Sequence, residues 1–271
     1  MSQIGTKGSG IAGGITAVYL VYLAAPILLL VVGAFGEVWS NTLLPHGISL
    51  RWFALVAGDP SFQKAFATSL VVGFSTVVIC VLIGTPLAYA VFSASNRGVK
   101  LATRIVYLLP IAAPPIVLAF GFMLVFSSDA LPFLGSTWVM IGGHVVLCLP
   151  YLLQTLVGDM RHLGLAQLER AAESLSASFT QRFFDIVLPS LRHSLTAGSI
   201  TVAALSIGEF QLSNLVAGFL NRTYPVVLLQ AFYGATGFAC AATVILLALA
   251  LAASTGSALT AKGASSATGV A

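Results

Sequence analysis

Long apolar stretches without charge, separated by short polar connections, set the plan of this chain. Residues 11–35 carry no charged side chain, which is enough to cross a bilayer core of about 30 Å. A cleavable leader has a shorter apolar core, so this run predicts a retained first membrane helix. Further spans are expected within 65–94, 105–127 and 136–158, and a fifth over about 194–217, interrupted only by Glu209. After Arg222 no charge occurs until Lys262, which is too long for one crossing. That stretch predicts a short re-entrant or interfacial piece near 224–233, a break at "YGATG", and a last helix from about 238 to 257. The expected fold class is all-α, a polytopic bundle of six transmembrane helices with a cytoplasmic helical connection.

Composition agrees. Of 271 residues, 58% are hydrophobic and only 7% charged, against about 25% charged in soluble domains. Mean hydropathy is +1.00, so the chain belongs in a membrane. The net charge of +4 does not point to nucleic acid, because the basic residues are scattered and no aromatic-basic patch accompanies them. Instead they set topology, since Lys and Arg near helix ends stay inside. With both termini cytoplasmic, the inner set holds Lys7, Arg97, Lys100, Arg104, Arg161, Arg170, Arg182, Arg192 and Lys262. The outer set holds only Arg51, Lys64 and Arg222. The expected organisation is a tail over 1–10, a six-span transmembrane domain over 11–258 with a hydrophilic loop at 161–192, and a second tail over 259–271. Pro26, Pro86, Pro110, Pro114, Pro115 and Pro150 fall in the spans. Each bends its helix, and "LLPIAAPPIVLAFGF" is expected to be buried or to line a cavity.

The charges that the spans exclude gather in "ERAAESLSASFTQRFFDIVLPSL", residues 169–191. The loop around it is far longer than two antiparallel helices need. Leu165, Leu168, Ala172 and Leu175 recur at helical spacing and predict one apolar stripe. Ser176 to Ser178 suit a turn. Phe179, Phe183, Phe184, Ile186 and Leu188 supply a second apolar face, which Pro189 is expected to end. Such an element either lies on lipid headgroups or docks a cytoplasmic partner.

This stretch resembles the E-A-A loop of permease subunits of binding-protein-dependent ABC importers, which reads E-A-A, three residues, G, nine residues, I-x-L-P. The spacing here is complete: Arg170-Ala171-Ala172, three residues, Ser176, nine residues, then Ile186-Val187-Leu188-Pro189. Arg170 stands where the family has Glu, with Glu169 adjacent, and Ser176 replaces the Gly. "LLPIAAPPIVLAFGFMLVF", "LPSLRHSLTAGSITVAALSIGEF" and "GISLRWFALVAGDPSFQKAFATSL" are similar to other parts of such permeases, in particular the polyamine, aminophosphonate and ferric-ion group.

The resemblance implies the fold of the methionine-type permeases and a place in a bacterial inner membrane. It also implies a coupling helix over 171–178 seated in an ATPase subunit, with Ala171 and Ala172 against the groove wall. Arg170, Ala171, Ala172, Ser176, Ala177, Ile186, Leu188 and Pro189 form the implied coupling set. Implied partners are two ABC ATPases, a second permease (identical or homologous) and a periplasmic solute-binding protein. The implied solute is small and polar, a polyamine type being favoured over 2-aminoethylphosphonate, ferric ion or an inorganic oxyanion.

No G-x-x-x-x-G-K-[ST] loop occurs, so ATP and Mg belong to a partner chain, and neither cofactor nor metal is expected on this one. Gly8, Gly10 and Gly13 spell G-x-G-x-x-G, but no strand precedes them. Cys80, Cys148 and Cys240 sit in apolar runs and read as buried small residues. Glu209 is the one formal charge expected inside a span, where a carboxylate costs about 2.5–3.5 kcal/mol to insert. It therefore faces solute, water or a structural partner. Gln211, Ser213 and Asn214 follow and cannot share one helical face, so either the helix unwinds there or part of the set meets another helix. Glu209, Gln211 and Asn214 are the candidate pathway residues. His144 reads as a packed, hydrogen-bonded residue. Two rival readings remain, an intramembrane enzyme with His144 and Glu209 as acid–base partners and a proton-coupled carrier.

Overall fold

The computed structural model describes residues 6–39, 42 and 44–267, with side chains described from Gly13 to Leu251. The side chains of both expected tails, Lys7 and Lys262 among them, lie outside this set. The chain forms two compact units.

One unit combines the N-terminal part up to Gln63 with Leu228–Leu251. Helix α1 spans Thr6–Phe35 and starts inside the expected tail. Over its described side chains α1 is almost entirely unburied, only Gly33 and Ala34 near its end being buried, so this helix is built to face lipid or another chain. A two-stranded antiparallel hairpin follows, β1 (Gly36–Val38) with β2 (His46–Ile48), Gly36 opposite Ile48. Helix α2 (Arg51–Gly58) closes on it. Trp52 Nε1 donates to Gly36 O at 2.7 Å, and the Arg51 guanidinium donates to Glu37 O at 2.9 Å while lying over the Trp52 ring.

The other unit begins in α3 (Pro60–Ser93) and runs to Val227. Its central element is α6 (Thr137–His162), with 56% of its span window buried against 28% for α3. Ser136 caps α6 by accepting from Val139 N. Leu152, Leu153, Leu156 and Met160 of α6 are fully buried beside Cys80 and Ala88 of α3. Helix α10 (Arg192–Gly208) lies close against α6: a Cβ on Gly198 would sit 2.5 Å from Leu152 Cδ1. Small residues permit such backbone approach where lipid supplies no hydrophobic drive for association. Cys80, Cys148 and Cys240 are buried free thiols, as their apolar surroundings predict.

The expected third span is broken. Helices α4 (Arg97–Ala112) and α5 (Pro115–Phe126) meet at a bend of 98°. Pro114 forces Ala113 into an extended conformation, and Pro115 opens the next helix at the position where its missing N–H costs nothing. Of the expectation that this proline-rich stretch is buried or lines a cavity, burial within the chain is not met: α4 buries no residue and α5 buries only Ala119.

Three of the described helices are long and apolar enough to cross a membrane, four if the bent pair counts as one span. The stretch expected to be re-entrant or interfacial forms a short helix, α12 (Tyr224–Phe232), and α13 (Thr236–Ala267) follows the glycine break. The architecture is thus an all-α membrane bundle with one small hairpin.

Candidate functional site

The hydrophilic loop folds as two helical pieces joined by one left-handed residue. Helix α7 (Leu165–Ser174) ends in a Schellman closure, Ser176 N donating to Glu173 O at 2.9 Å and Ala177 N to Ala172 O at 3.1 Å. The closure requires positive φ at Ser176, where φ is 63°, and no other described non-glycine residue has positive φ. The family's glycine position therefore keeps its backbone shape here despite the Cβ, at a cost of about 1–2 kcal/mol.

Ser178 and Gln181 then form a capping box. The second piece runs through α8 (Phe179–Gln181), a π-turn over Arg182–Val187 and α9 (Leu188–Ser190). Pro189 does not end this helix, as its sequence position suggests; the backbone widens instead. Leu188 N reaches back to Phe183 O, a five-residue step, which relieves the clash a proline ring makes with the carbonyl four residues earlier.

The expected single stripe on α7 is split. Leu165 and Ala172 are buried in the unit, while Leu168 and Leu175 are exposed, Leu175 by 82%. Ala171 faces out and Ala172 in, so only the first is free to approach a partner's groove. Arg170 and Ser176 are exposed, Ala177 half-buried. On the return helix Ile186 and Leu188 are half-buried, and Val187 and Leu191 are fully buried in the core.

Two ties seat this element. Tyr89, near the end of α3, donates its hydroxyl to Glu169 Oε1 at 2.5 Å, and its ring packs on Phe179 and Phe183 at 5.9 and 5.5 Å. Arg182 pairs with Glu173 at 3.4 Å across the turn. Farther along, Ser194 donates to Asp159, joining the start of α10 to the end of α6. Tyr89 was not singled out by sequence reasoning; its only signal is an aromatic residue at the last turn of a span.

The second candidate region lies around Glu209. The helix unwinds there: Glu209 is extended (ψ 126°) and α11 (Gln211–Val216) restarts after Phe210. The carboxylate accepts from Leu212 N at 2.7 Å and from Ser213 N and Oγ, both at 2.9 Å. It thus satisfies first-turn amides that no intrahelical carbonyl reaches, with the helix dipole adding to the attraction. His144 is fully buried, with Nδ1 at 2.7 Å from Ser206 Oγ, Nε2 at 2.9 Å from Ser213 Oγ and 3.6 Å from Glu209 Oε2. Sequence reasoning named both residues but had no means to pair them, 65 positions apart.

The cluster is not arranged as a nucleophile triad. Ser206 lies at the nitrogen opposite Glu209, but Glu209 Oε2 is 3.6 Å from Nε2, beyond hydrogen-bond reach. Both its oxygens are taken by Leu212 N and Ser213, so it does not hold the imidazole as a triad acid does. Gln211 and Asn214 share the exposed face of α11 and Ser213 turns inward, so the structure separates the polar set that the sequence could not resolve.

No protein-family model matches this sequence. The chain is 25% identical over 249 residues to PhnV of Salmonella typhimurium, named as a 2-aminoethylphosphonate transport system permease protein, covering 90% of this chain and 92% of that one. It is 26% identical over 219 residues to the spermidine/putrescine transport system permease protein PotC of Escherichia coli, covering 79% of each. Among solved structures, a bacterial alginate ABC transporter in complex with its alginate-bound periplasmic protein aligns over 92% of this chain and 91% of its own, with a TM-score of 0.74 and 13% identity. A second structure of a bacterial ABC transporter importing alginate aligns with a TM-score of 0.66 over 90% of this chain and 94% of its own, at 16% identity. These structural likenesses carry the fold; the sequence relatives are transport permeases, not enzymes. With the complete loop spacing in place, the chain is similar over most of its length to transport-system permease proteins of the kind found in binding-protein-dependent ABC importers.

Proposed function

We propose that this permease passes a small polar solute across the bacterial inner membrane, as one half of a pathway completed by a second, identical or homologous permease. Six crossings, with the bent α4–α5 pair as one and α10–α11 as another, put both termini in the cytoplasm. Two ATPase subunits carrying ATP and Mg dock on the 161–192 loop, and a periplasmic solute-binding protein delivers solute from the other side. The observation that supports this most is the geometry of the loop. A glycine-like turn at Ser176 presents Leu168, Ala171 and Leu175 outward, while Tyr89 fastens the element to α3 and the Arg182–Glu173 pair braces its turn. An interfacial helix that only rests on lipid has no need of an obligatory left-handed closure. A rigid element with two such ties suits transmission of motion to packed helices.

A polyamine-type solute is favoured, in line with PotC, and 2-aminoethylphosphonate is the nearest alternative, in line with PhnV. Ferric ion and inorganic oxyanions follow. Gln211 and Asn214 supply exposed polar groups toward a pathway, and Glu209 holds their helix while adding negative charge beside it. Uptake of labelled putrescine, spermidine and 2-aminoethylphosphonate into vesicles holding the assembled importer tests the reading. ATP-dependent uptake of a polyamine supports it. Uptake of the phosphonate alone transfers the assignment to the alternative, and uptake driven by a proton gradient without ATP refutes the importer role.

A further inference from the structure

Beside the coupling segment lies a recess of about 480 Å³ in which Lys100 of α4, Arg161 of α6, Arg170 of α7 and Arg182 of the π-turn converge with Glu169 and Glu173. The four cations outnumber the two carboxylates, and both carboxylates are already engaged, Glu169 by the Tyr89 hydroxyl and Glu173 by Arg182. Lys100, Arg161 and Arg170 have no ion-pair partner among the described residues. Arg182 Nε is buried with no hydrogen-bond partner, and a buried donor of that kind is costly unless something accepts from it. The recess therefore has surplus positive charge and an unmet donor on its wall.

We propose that this recess binds a phosphate-type anion, supplied by a phospholipid headgroup or by a soluble phosphate. A tetrahedral oxyanion has enough acceptor oxygens to meet several cations at once, and planar guanidinium groups match its geometry. Tyr89 and Phe92 also line the recess, and aromatic residues at the end of a crossing helix mark the level of headgroups. Basic pockets between helices at that level hold anionic lipid. A carboxylate from a docking protein is the less suited occupant. The outward face formed by Leu168, Ala171 and Leu175 takes no part in the lining, and Lys100 and Arg161 come from membrane helices rather than from that face. The proposal concerns this chain alone and does not depend on which solute is carried.

The test uses the purified full chain in phosphatidylcholine nanodiscs, with and without phosphatidylglycerol, and a Lys100→Gln/Arg161→Gln variant that leaves the buried wall intact. Bound lipid is read by native mass spectrometry, and inorganic phosphate by ³¹P line broadening. Each neutralised cation should weaken binding about five-fold, so the double variant should lose roughly 30-fold. Retention of phosphatidylglycerol by the wild type but not the variant supports the proposal with a headgroup as source; saturable phosphate binding with the same loss supports it with a soluble source. Arg182→Lys, which keeps the charge but removes the guanidinium, should weaken the same binding. Binding of neither probe, or equal binding by wild type and double variant, overturns the proposal. So does loss of ATPase docking in the double variant without binding of either probe, since the cations would then serve a protein partner.

Discussion

Replacing Glu209 by Gln separates a helix cap from a simple solute contact. The carboxylate accepts two backbone amides and one hydroxyl through both of its oxygens. Glutamine keeps one acceptor oxygen and turns an NH₂ donor toward the remaining donors, so at most one of the two amide bonds survives. A hydrogen bond to a charged acceptor contributes about 1.5–3 kcal/mol, and the charge at the first turn of a helix adds about 0.3–1 kcal/mol. Relief from inserting a carboxylate offsets part of this, leaving a local loss of about 2 kcal/mol. That loss corresponds to roughly 30-fold faster exchange of the exposed amide. Hydrogen exchange read by mass spectrometry over residues 205–217 should show the change at the start of α11, with copurification of the partner subunits retained and transport impaired. Unchanged protection in that peptide would refute the capping role. Wild-type uptake would remove Glu209 from the functional residues.

Ser176→Gly should relieve the left-handed strain and raise the melting temperature slightly, by up to about 1 kcal/mol of stability. Ser176→Val should lower stability by about 1–2 kcal/mol, and equal melting of all three forms would contradict the strained turn. Tyr89→Phe keeps the ring packing but removes the bond to Glu169; the ratio of uptake to ATP hydrolysed should fall several-fold while the fold persists, and an unchanged ratio would discard Tyr89 as a link. Gly198→Val should cost about 1–3 kcal/mol, because any Cβ meets the fully buried Leu152. Thermal unfolding in detergent reads that loss, and unaltered melting would show that α10 does not pack on α6 as described.

Much of the bundle was legible because apolar run length reports directly on a bilayer-scale element. The glycine break before α13 and the interruption at Glu209 were visible for the same reason, since a charge or a flexible residue punctuates an otherwise uniform pattern. The 98° bend was less legible: prolines signal a defect, but the neighbours that fix its angle are remote in sequence. The orientation of α7 was hidden because Leu168 and Ala172 are equivalent in any periodicity, and only the packing of Leu165 and Ala172 into the unit decides which faces out. The hairpin at Gly36–Val38 and His46–Ile48 has too few residues per strand to show alternation. The pairing of His144 with Glu209 depends on two helices meeting.

The central claim is that a separate ATPase grips the segment after α6. A single cysteine at Leu175, 82% exposed at the end of α7, tests it in native membranes, where the chain's own Cys80, Cys148 and Cys240 are buried and give little background. The account predicts a crosslink to a nucleotide-binding chain whose yield changes when ATP is added. Crosslinks to lipid alone, or labelling of that cysteine by an impermeant reagent from the periplasmic side, would contradict it.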